Sequence, residues 1–228
     1  MLNSGYGALA NIYNRWFNFT MAEAITSTGR LVIRTAERAV NDLLNRAMKT
    51  SGQDYIVAID TDSVYVNLGP LVKAHAAGLS KERQLEVVRK FAQNMISPAI
   101  ARALDELASR MGCKENLMRM NIETISDRAI WRATKHYILN LVEDDGIVVK
   151  GQELKIKGIE AIRSSTPKMV RDAIKESLKI TMRGSENELM SFVSSFRSKF
   201  DEAPFEDIAF PRSVNNMKKY TSPNTIYK

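Results

Sequence analysis

Only one cysteine, Cys113, occurs in the 228 residues. That excludes an internal disulfide and any multi-cysteine metal site. Histidine is almost as scarce: His75 and His136 stand far apart, with no metal-ligand spacing. No apolar run approaches the roughly 18 residues that a membrane-spanning helix needs. Residues 1–20 mix asparagine, arginine and aromatics rather than showing a basic-then-apolar leader. Internal repeats and low-complexity segments are absent. What remains is 44% hydrophobic and 26% charged, enough for one or two globular domains with real cores and unlike a disordered composition. An intracellular location fits the cysteine usage.

The net charge is +7 and the pI about 9.5, a balance that suits a polyanionic partner. Its placement is more informative. Residues 150–183 carry nine Lys/Arg and four acids, so most of the excess sits in about a seventh of the chain. On charge alone, phosphate contact and a solvated basic face are both open.

Thr20-Met21-Ala22-Glu23 reads as a capping box and starts a helix to about Arg46. Ile25, Val32, Ala36, Val40 and Leu43 form its apolar face, and Gly29 suggests close packing. The period then changes. Tyr55–Ile59 and Val64–Val66 read as strands split by Asp60-Thr61-Asp62-Ser63, which predicts a hairpin with the polar tetrad at its tip. Ser80 caps a helix striped by Leu85, Val88, Ala92 and Met95. Pro98 interrupts or kinks it before Leu104, Leu107 and Met111. Four strands are expected at Leu117–Met120, Tyr137–Val142, Ile147–Val149 and Leu154–Ile159, with Asp144-Asp145-Gly146 as a hairpin turn. Thr166 as N-cap and Pro167 at the first helical position start another helix. Lys168, Arg171, Lys175, Lys179 and Arg183 share its basic stripe. A last amphipathic helix carries Leu189, Phe192, Val193, Phe196 and Phe200; no strong period follows Pro204.

Asp60 and Asp62 are the residues with chemistry. In an extended segment, carboxylates two residues apart share one side. Clustered carboxylates raise each other's proton affinity unless a cation neutralises them, and magnesium is suited to a few carboxylates plus substrate phosphates. Nucleotidyl transfer uses two such ions to clamp the attacking and leaving oxygens. An Asp- and Ser-rich hairpin turn without chemistry and the Asp-x-Asp of nucleotide-sugar glycosyltransferases are the alternatives that spacing leaves open.

Four segments in order resemble family B DNA polymerases, in particular those of T-even-type tailed phages. Asn3-Ser4-Gly5-Tyr6-Gly7 is similar to the end of motif B at the fingers–palm junction. Asp60-Thr61-Asp62-Ser63, with Val64-Tyr65-Val66 after it, is similar to motif C. Lys135-His136-Tyr137 is similar to the Lys-x-Tyr motif. Leu154–Gly158 through Ser164–Lys168 is similar to the palm–thumb transition. The resemblance implies an α+β fold: a mostly antiparallel palm sheet with flanking helices over residues 1–162, then the start of a helical thumb over 163–228. It implies that Asp60 and Asp62 are catalytic and, with Glu123, hold magnesium, two ions in the complete enzyme. Asn3, Tyr6 and Thr61 would lie at the nascent base pair. Lys135, Tyr137, Lys155, Lys168 and Lys175 would hold primer–template DNA. Deoxynucleoside triphosphates are the implied substrates, and the cytoplasm of an infected bacterial host the implied location, with no membrane partner.

The chain departs from the family pattern in places. Ile59 and Ala58 precede Asp60 where Gly and Tyr are usual, and Gly5 replaces a usual Leu. Thr134 and His136 stand where phage relatives often carry Lys and Arg. The stretch between Glu123 and Trp131 is short. The 228 residues contain no motif A aspartate, fingers helix, exonuclease domain or C-terminal clamp-binding tail. The expectation is therefore a chain inactive alone, either the C-terminal portion of a split polymerase, whose upstream half is then its partner, or a partial sequence. Exposed apolar surface should remain where the missing palm strand and fingers would pack. A non-catalytic DNA-binding subunit and an Asp-x-Asp glycosyltransferase are the alternatives.

Overall fold

The computed structural model describes residues 2–212, with side chains from residue 5 onward. Two compact units divide the chain, Met1–Glu123 and Thr124–Lys228. This division is one of compactness. The palm–thumb assignment with its boundary after residue 162 is one of role, and residues 213–228 of the expected thumb lie outside the described residues.

The first unit opens with α1 (Leu2–Ala10) and the 30-residue α2 (Phe19–Met48). The capping box expected at Thr20 is not the cap. Asn18, in extended backbone, accepts a hydrogen bond from the Met21 amide, so the helix begins one residue earlier than Thr20. Ala36, Val40 and Leu43 of the expected face of α2 are buried, Val32 is half-buried, and Leu44, outside the expected set, is buried as well. Ile25 at its N-terminal end is exposed. Gly29 has open space where a Cβ would stand, so the expected close packing there does not occur.

An antiparallel hairpin follows, β1 (Ile56–Asp60) and β2 (Ser63–Val66), with Asp60 opposite Ser63. Then come α3 (Gly69–His75), α4 (Lys81–Phe91), a π-helical turn at Ala92–Ile96 and α5 (Ser97–Arg110). Ser80 caps α4 as expected. Pro98 does not break the helix. Proline has no N–H for the usual i−4 bond and crowds that carbonyl; the preceding turn widens, and the Ser97 amide reaches Ala92 five residues back. Ile96, Ala99, Ile100 and Leu104 close on the apolar face of α2 and on Tyr55, with Ile56, Val64 and Val66 of the hairpin against them. Each buried Val, Leu or Ile contributes roughly 1.5–3 kcal/mol, so the hairpin is held by a core and not by its two strands alone.

A polar clamp fixes where β1 starts. Asn41 of α2 accepts from the Tyr55 amide at 2.8 Å and donates to Asp54 Oδ1 at 2.9 Å. The Ile56 amide, first, and the Asn41 amide, second, hold the Asp54 carboxyl below its ordinary value of 3.8. Asn41→Ala is expected to destabilise the chain by about 1–2 kcal/mol in urea titrations at neutral pH. Because the folded pKa of Asp54 is depressed, the clamp's contribution is present above about pH 4 and fades as pH falls through the folded value. The penalty of the substitution should therefore shrink in acid.

The second unit is built on a three-stranded antiparallel sheet, β3 (Thr124–Ala133), β4 (His136–Asp144) and β5 (Ile147–Lys157), in that order. Asp145 and Gly146 both take positive φ, 48° and 80°, and make the tight turn expected there. The strand expected at Leu117–Met120 is irregular instead, and β3 forms just after it. The helix α6 (Lys168–Arg183) begins one residue later than expected: Pro167 occupies the N-cap position and Thr166, which is buried, makes no side-chain cap. Ile174, Leu178 and Met182 of α6 pack with Ile138, Ile156, Ile159 and Ala161. Then α7 (Glu186–Asp201) starts with a capping box between Ser185 and Glu188, and the short α8 (Phe205–Ile208) follows. The fold is α+β, with small antiparallel sheets flanked by helices.

Candidate metal and nucleic-acid site

The Asp60–Ser63 tetrad lies at the tip of the β1–β2 hairpin. Asp60 ends β1, Ser63 begins β2, and Thr61-Asp62 form the turn. The Asp62 amide donates to the Asp60 carbonyl at 2.6 Å across Thr61, whose φ is +54°. That is a three-residue γ-type turn, a strained backbone, and a β-branched residue sits at its centre. The two aspartates are thus separated by a tight turn and not by extended chain, so the period-two argument for their common side does not apply. The Thr61 hydroxyl donates to Asp60 Oδ1 at 3.2 Å and the Ser63 hydroxyl to Asp62 Oδ1 at 3.4 Å. Asp60 is half-buried, whereas Thr61 and Asp62 are exposed.

A cleft of about 470 Å³ runs beside this tip, lined by Arg30, Arg34 and Glu37 of α2 and by Ala58, Ile59 and Thr61. Arg34 pairs with Glu37 at 3.5 Å. Ile59, which stands where the family pattern has glycine, is part of the cleft wall. Glu123 is exposed and immediately precedes β3. Among the described residues no group of three or more His, Cys, Asp and Glu side chains is arranged to hold a metal. The hairpin therefore offers a pair of carboxylates, with Glu123 in the segment just before β3.

Tyr6 lies within α1, 43% exposed, so the glycines on either side are helical and do not form a turn. The backbone of Asn3 is in the same helix; its side chain lies outside the described residues.

In the second unit, Lys135 occupies the tight turn between β3 and β4, exposed, with φ +61°. Tyr137 is buried, its ring 4.5 Å from that of Trp131. Lys155 on β5 donates to Thr124 Oγ1 at 3.0 Å and pairs with Asp144 at 3.4 Å. The Thr124 hydroxyl also bonds Asp144, so this lysine ties the three strands together. The basic stripe of α6 divides. Arg183 pairs with Asp127 at 3.0 Å and Lys179 with Glu176 at 3.3 Å, whereas Lys168 and Lys175 are exposed.

Two features were not anticipated. Asp127 of β3 accepts from the fully buried Asn140 as well as from Arg183, and Arg128 donates to the Met182 carbonyl, so β3 grips the C-terminal end of α6. Gly158, with φ +71°, lies directly against the Lys135 carbonyl and the His136 ring. An isolated glycine closing a strand is a signal of close backbone approach, and it was available in Lys157-Gly158-Ile159.

Comparison with known proteins bears on all of these residues together. The DNA-directed DNA polymerase of Enterobacteria phage T4 is 32% identical over 230 aligned positions, which cover 96% of this chain and 26% of the phage protein. That of Escherichia phage RB69 is 33% identical over 232 positions, with the same coverage. The chain thus spans about a quarter of the length of these relatives. The family model of DNA polymerase family B matches residues 1–225, from α1 through both sheets to the last helices, and the chain belongs to that family.

Proposed function

We propose that these 228 residues form the motif C end of the palm (residues 1–162) and the start of the thumb (163–228) of a DNA-directed DNA polymerase. The observation that carries this is the Asp60-Thr61-Asp62-Ser63 tip on a core-anchored antiparallel hairpin in a family B chain. The reaction is attack of a primer 3′-hydroxyl on the α-phosphate of a deoxynucleoside triphosphate. Its substrates and primer–template DNA are the partners.

Two carboxylates flanked by hydroxyls are an all-oxygen donor set. Such a set fits magnesium, which takes one or two protein carboxylates and leaves its other positions to water and phosphate oxygens. Bound there, magnesium supplies positive charge to the phosphate oxygens as bonds change. The chain's own contribution is positional. The γ-type turn fixes the spacing of Asp60 and Asp62, and the hydroxyls of Thr61 and Ser63 hold one oxygen of each carboxylate. By family resemblance, Thr61 belongs with Asn3 and Tyr6 at the nascent base pair. Glu123, by family resemblance, belongs near the ions.

Lys135, Lys168 and Lys175, all exposed, are suited to phosphate contact, which gives affinity without sequence choice. Lys155 and the buried Tyr137 serve that surface by shaping the sheet beneath it. The phage relatives are about four times as long as this chain, so the activity is tested together with a polypeptide that carries motif A and the fingers. The site of action proposed is the cytoplasm of an infected bacterium; among the described residues no helix is long and apolar enough to cross a membrane. The glycosyltransferase alternative falls with the family assignment.

The test is co-expression with a polypeptide that carries motif A, the fingers and the exonuclease domain. The complex should extend a primer on a template with deoxynucleotides and magnesium. A complex that assembles and binds primer–template but never extends it would favour the non-catalytic DNA-binding subunit.

A further inference from the structure

The first strand of the β1–β2 hairpin carries an extra residue. Ile56 lies opposite Val66 and Ala58 opposite Tyr65, so Val57, which is exposed, forms a β-bulge. The bulge decides which face each later residue takes. Side chains directly opposite in an antiparallel pair share a face. Val64 and Val66 pack on the core between α2 and α5, and so does Ile56. Ile59 is opposite Val64, and it therefore shares the core face with Ile56, although the two are three positions apart. Unbroken alternation from Ile56 would have put Asp60 on that face and Ile59 on the other. The extra residue exchanges them.

Ile59 is also the last apolar side chain of β1 before the tip. It is half-buried and stands in the cleft wall with the buried Ile33 of α2. Its β-branched side chain is stiff at χ1 and suited to a strand. Asp60 follows at once, opposite Ser63, on the face away from the core. Thr61 and Asp62 beyond it are exposed.

We propose that Ile59 is a positioning residue for the two aspartates of the tip. Seated on the core face by the Val57 bulge, it holds Asp60 on the opposite face and gives the strained Thr61 turn a fixed base. This rests on the polymerase reading for what the aspartates do, which is to bind magnesium. Ile59 faces the other way and acts through the backbone on which they stand. A displacement of about 1 Å at such a site can cost a hundredfold in rate. Glycine, the residue of the family pattern at this place, has no side chain for that seat, so this chain secures its tip by a device of its own.

Two measurements test this. In the 228-residue chain without metal, nitrogen-15 relaxation gives backbone order parameters for Asp60 and Asp62. They should lie near the rigid value of about 0.85 in the unaltered chain and in Ile59→Val, and fall toward about 0.6 in Ile59→Ala. In the polymerase reconstituted with the upstream polypeptide, Ile59→Ala should lower kcat about tenfold to a hundredfold and raise the magnesium concentration for half-maximal extension severalfold, with the nucleotide KM unchanged. Ile59→Val should restore both. Asn41→Ala, which weakens β1 from its far end, is the control for stability alone and should shift neither the order parameters of the tip nor the magnesium dependence. If Ile59→Ala leaves the tip rigid, or loosens it without slowing extension, or if Asn41→Ala has the same effects, the assignment is overturned and the polymerase reading stands. If the unaltered complex does not extend a primer, the polymerase reading fails, and the assignment with it.

Discussion

Asp62→Asn is expected to reduce primer extension by the reconstituted polymerase roughly a thousandfold, with little change in folding. The exchange keeps the size of the side chain and an oxygen for the Ser63 hydroxyl, and residue 62 is exposed at a hairpin tip, so packing loses nothing. What it removes is a unit of negative charge from the pair that would hold magnesium. Charge stabilisation by such an ion is worth several kcal/mol in the transition state, and each 1.4 kcal/mol is a factor of ten in rate. Single-turnover extension at saturating nucleotide is the measurement, with thermal unfolding of the same variant as control. Partial recovery when manganese replaces magnesium would be consistent with a weakened metal site. Extension at the wild-type rate by Asp62→Asn would remove the hairpin from the chemistry and leave only DNA binding to this chain.

The second large effect is expected at a residue with no side chain. Gly158→Ala should destabilise the second unit on the order of 3 kcal/mol and lower its thermal midpoint by about 10 °C. Two costs add. The backbone at φ +71° is unfavourable for alanine, and the new methyl would meet the Lys135 carbonyl, a backbone atom that cannot swing aside, as well as the His136 ring. Gly146 separates the two costs. Its φ is +80°, yet a Cβ there meets nothing within 4 Å, so Gly146→Ala should show the conformational cost alone, about 1 kcal/mol. Equal penalties at the two positions, read from urea titrations, would show that the Lys135 turn yields freely and that Gly158 does not position it.

The elements legible in the sequence were those whose pattern is local. The β1–β2 hairpin, the apolar face of α2 from Val32 to Leu43, the Ser80 cap and the Asp145-Gly146 turn each depend on residues a few positions apart. The misreadings share a different cause. Thr20 and Asn18 can both cap a helix, and only backbone geometry chose Asn18. Leu117–Met120 has strand composition but lies outside the sheet, whereas β3 carries Asp127, Arg128 and Arg132, charges that hide a strand when alternation is the only guide. Their partners, Arg183 and the Met182 carbonyl, lie more than fifty residues away in sequence. The candidate site divides similarly. The motif C tetrad was legible as a string, but the turn that separates its aspartates was not, because a γ-type turn with threonine at its centre has no compositional signature. The basic stripe of α6 was legible as charge, yet which members are spent inside the protein depends on Asp127 and Glu176.

Thr61 and Lys135 have one more property in common. Each sits at the tip of a hairpin in left-handed backbone, φ +54° and +61°, where glycine or asparagine would be more comfortable. A chain shaped for stability alone would have no reason to keep a β-branched residue and a long cation at those two points. Their presence records a compromise in which the protein gives up about a kilocalorie at each tip, the usual cost of such backbone, to retain a side chain there. Such sites mark the places where the folding requirement and the working requirement of this sequence pull in opposite directions.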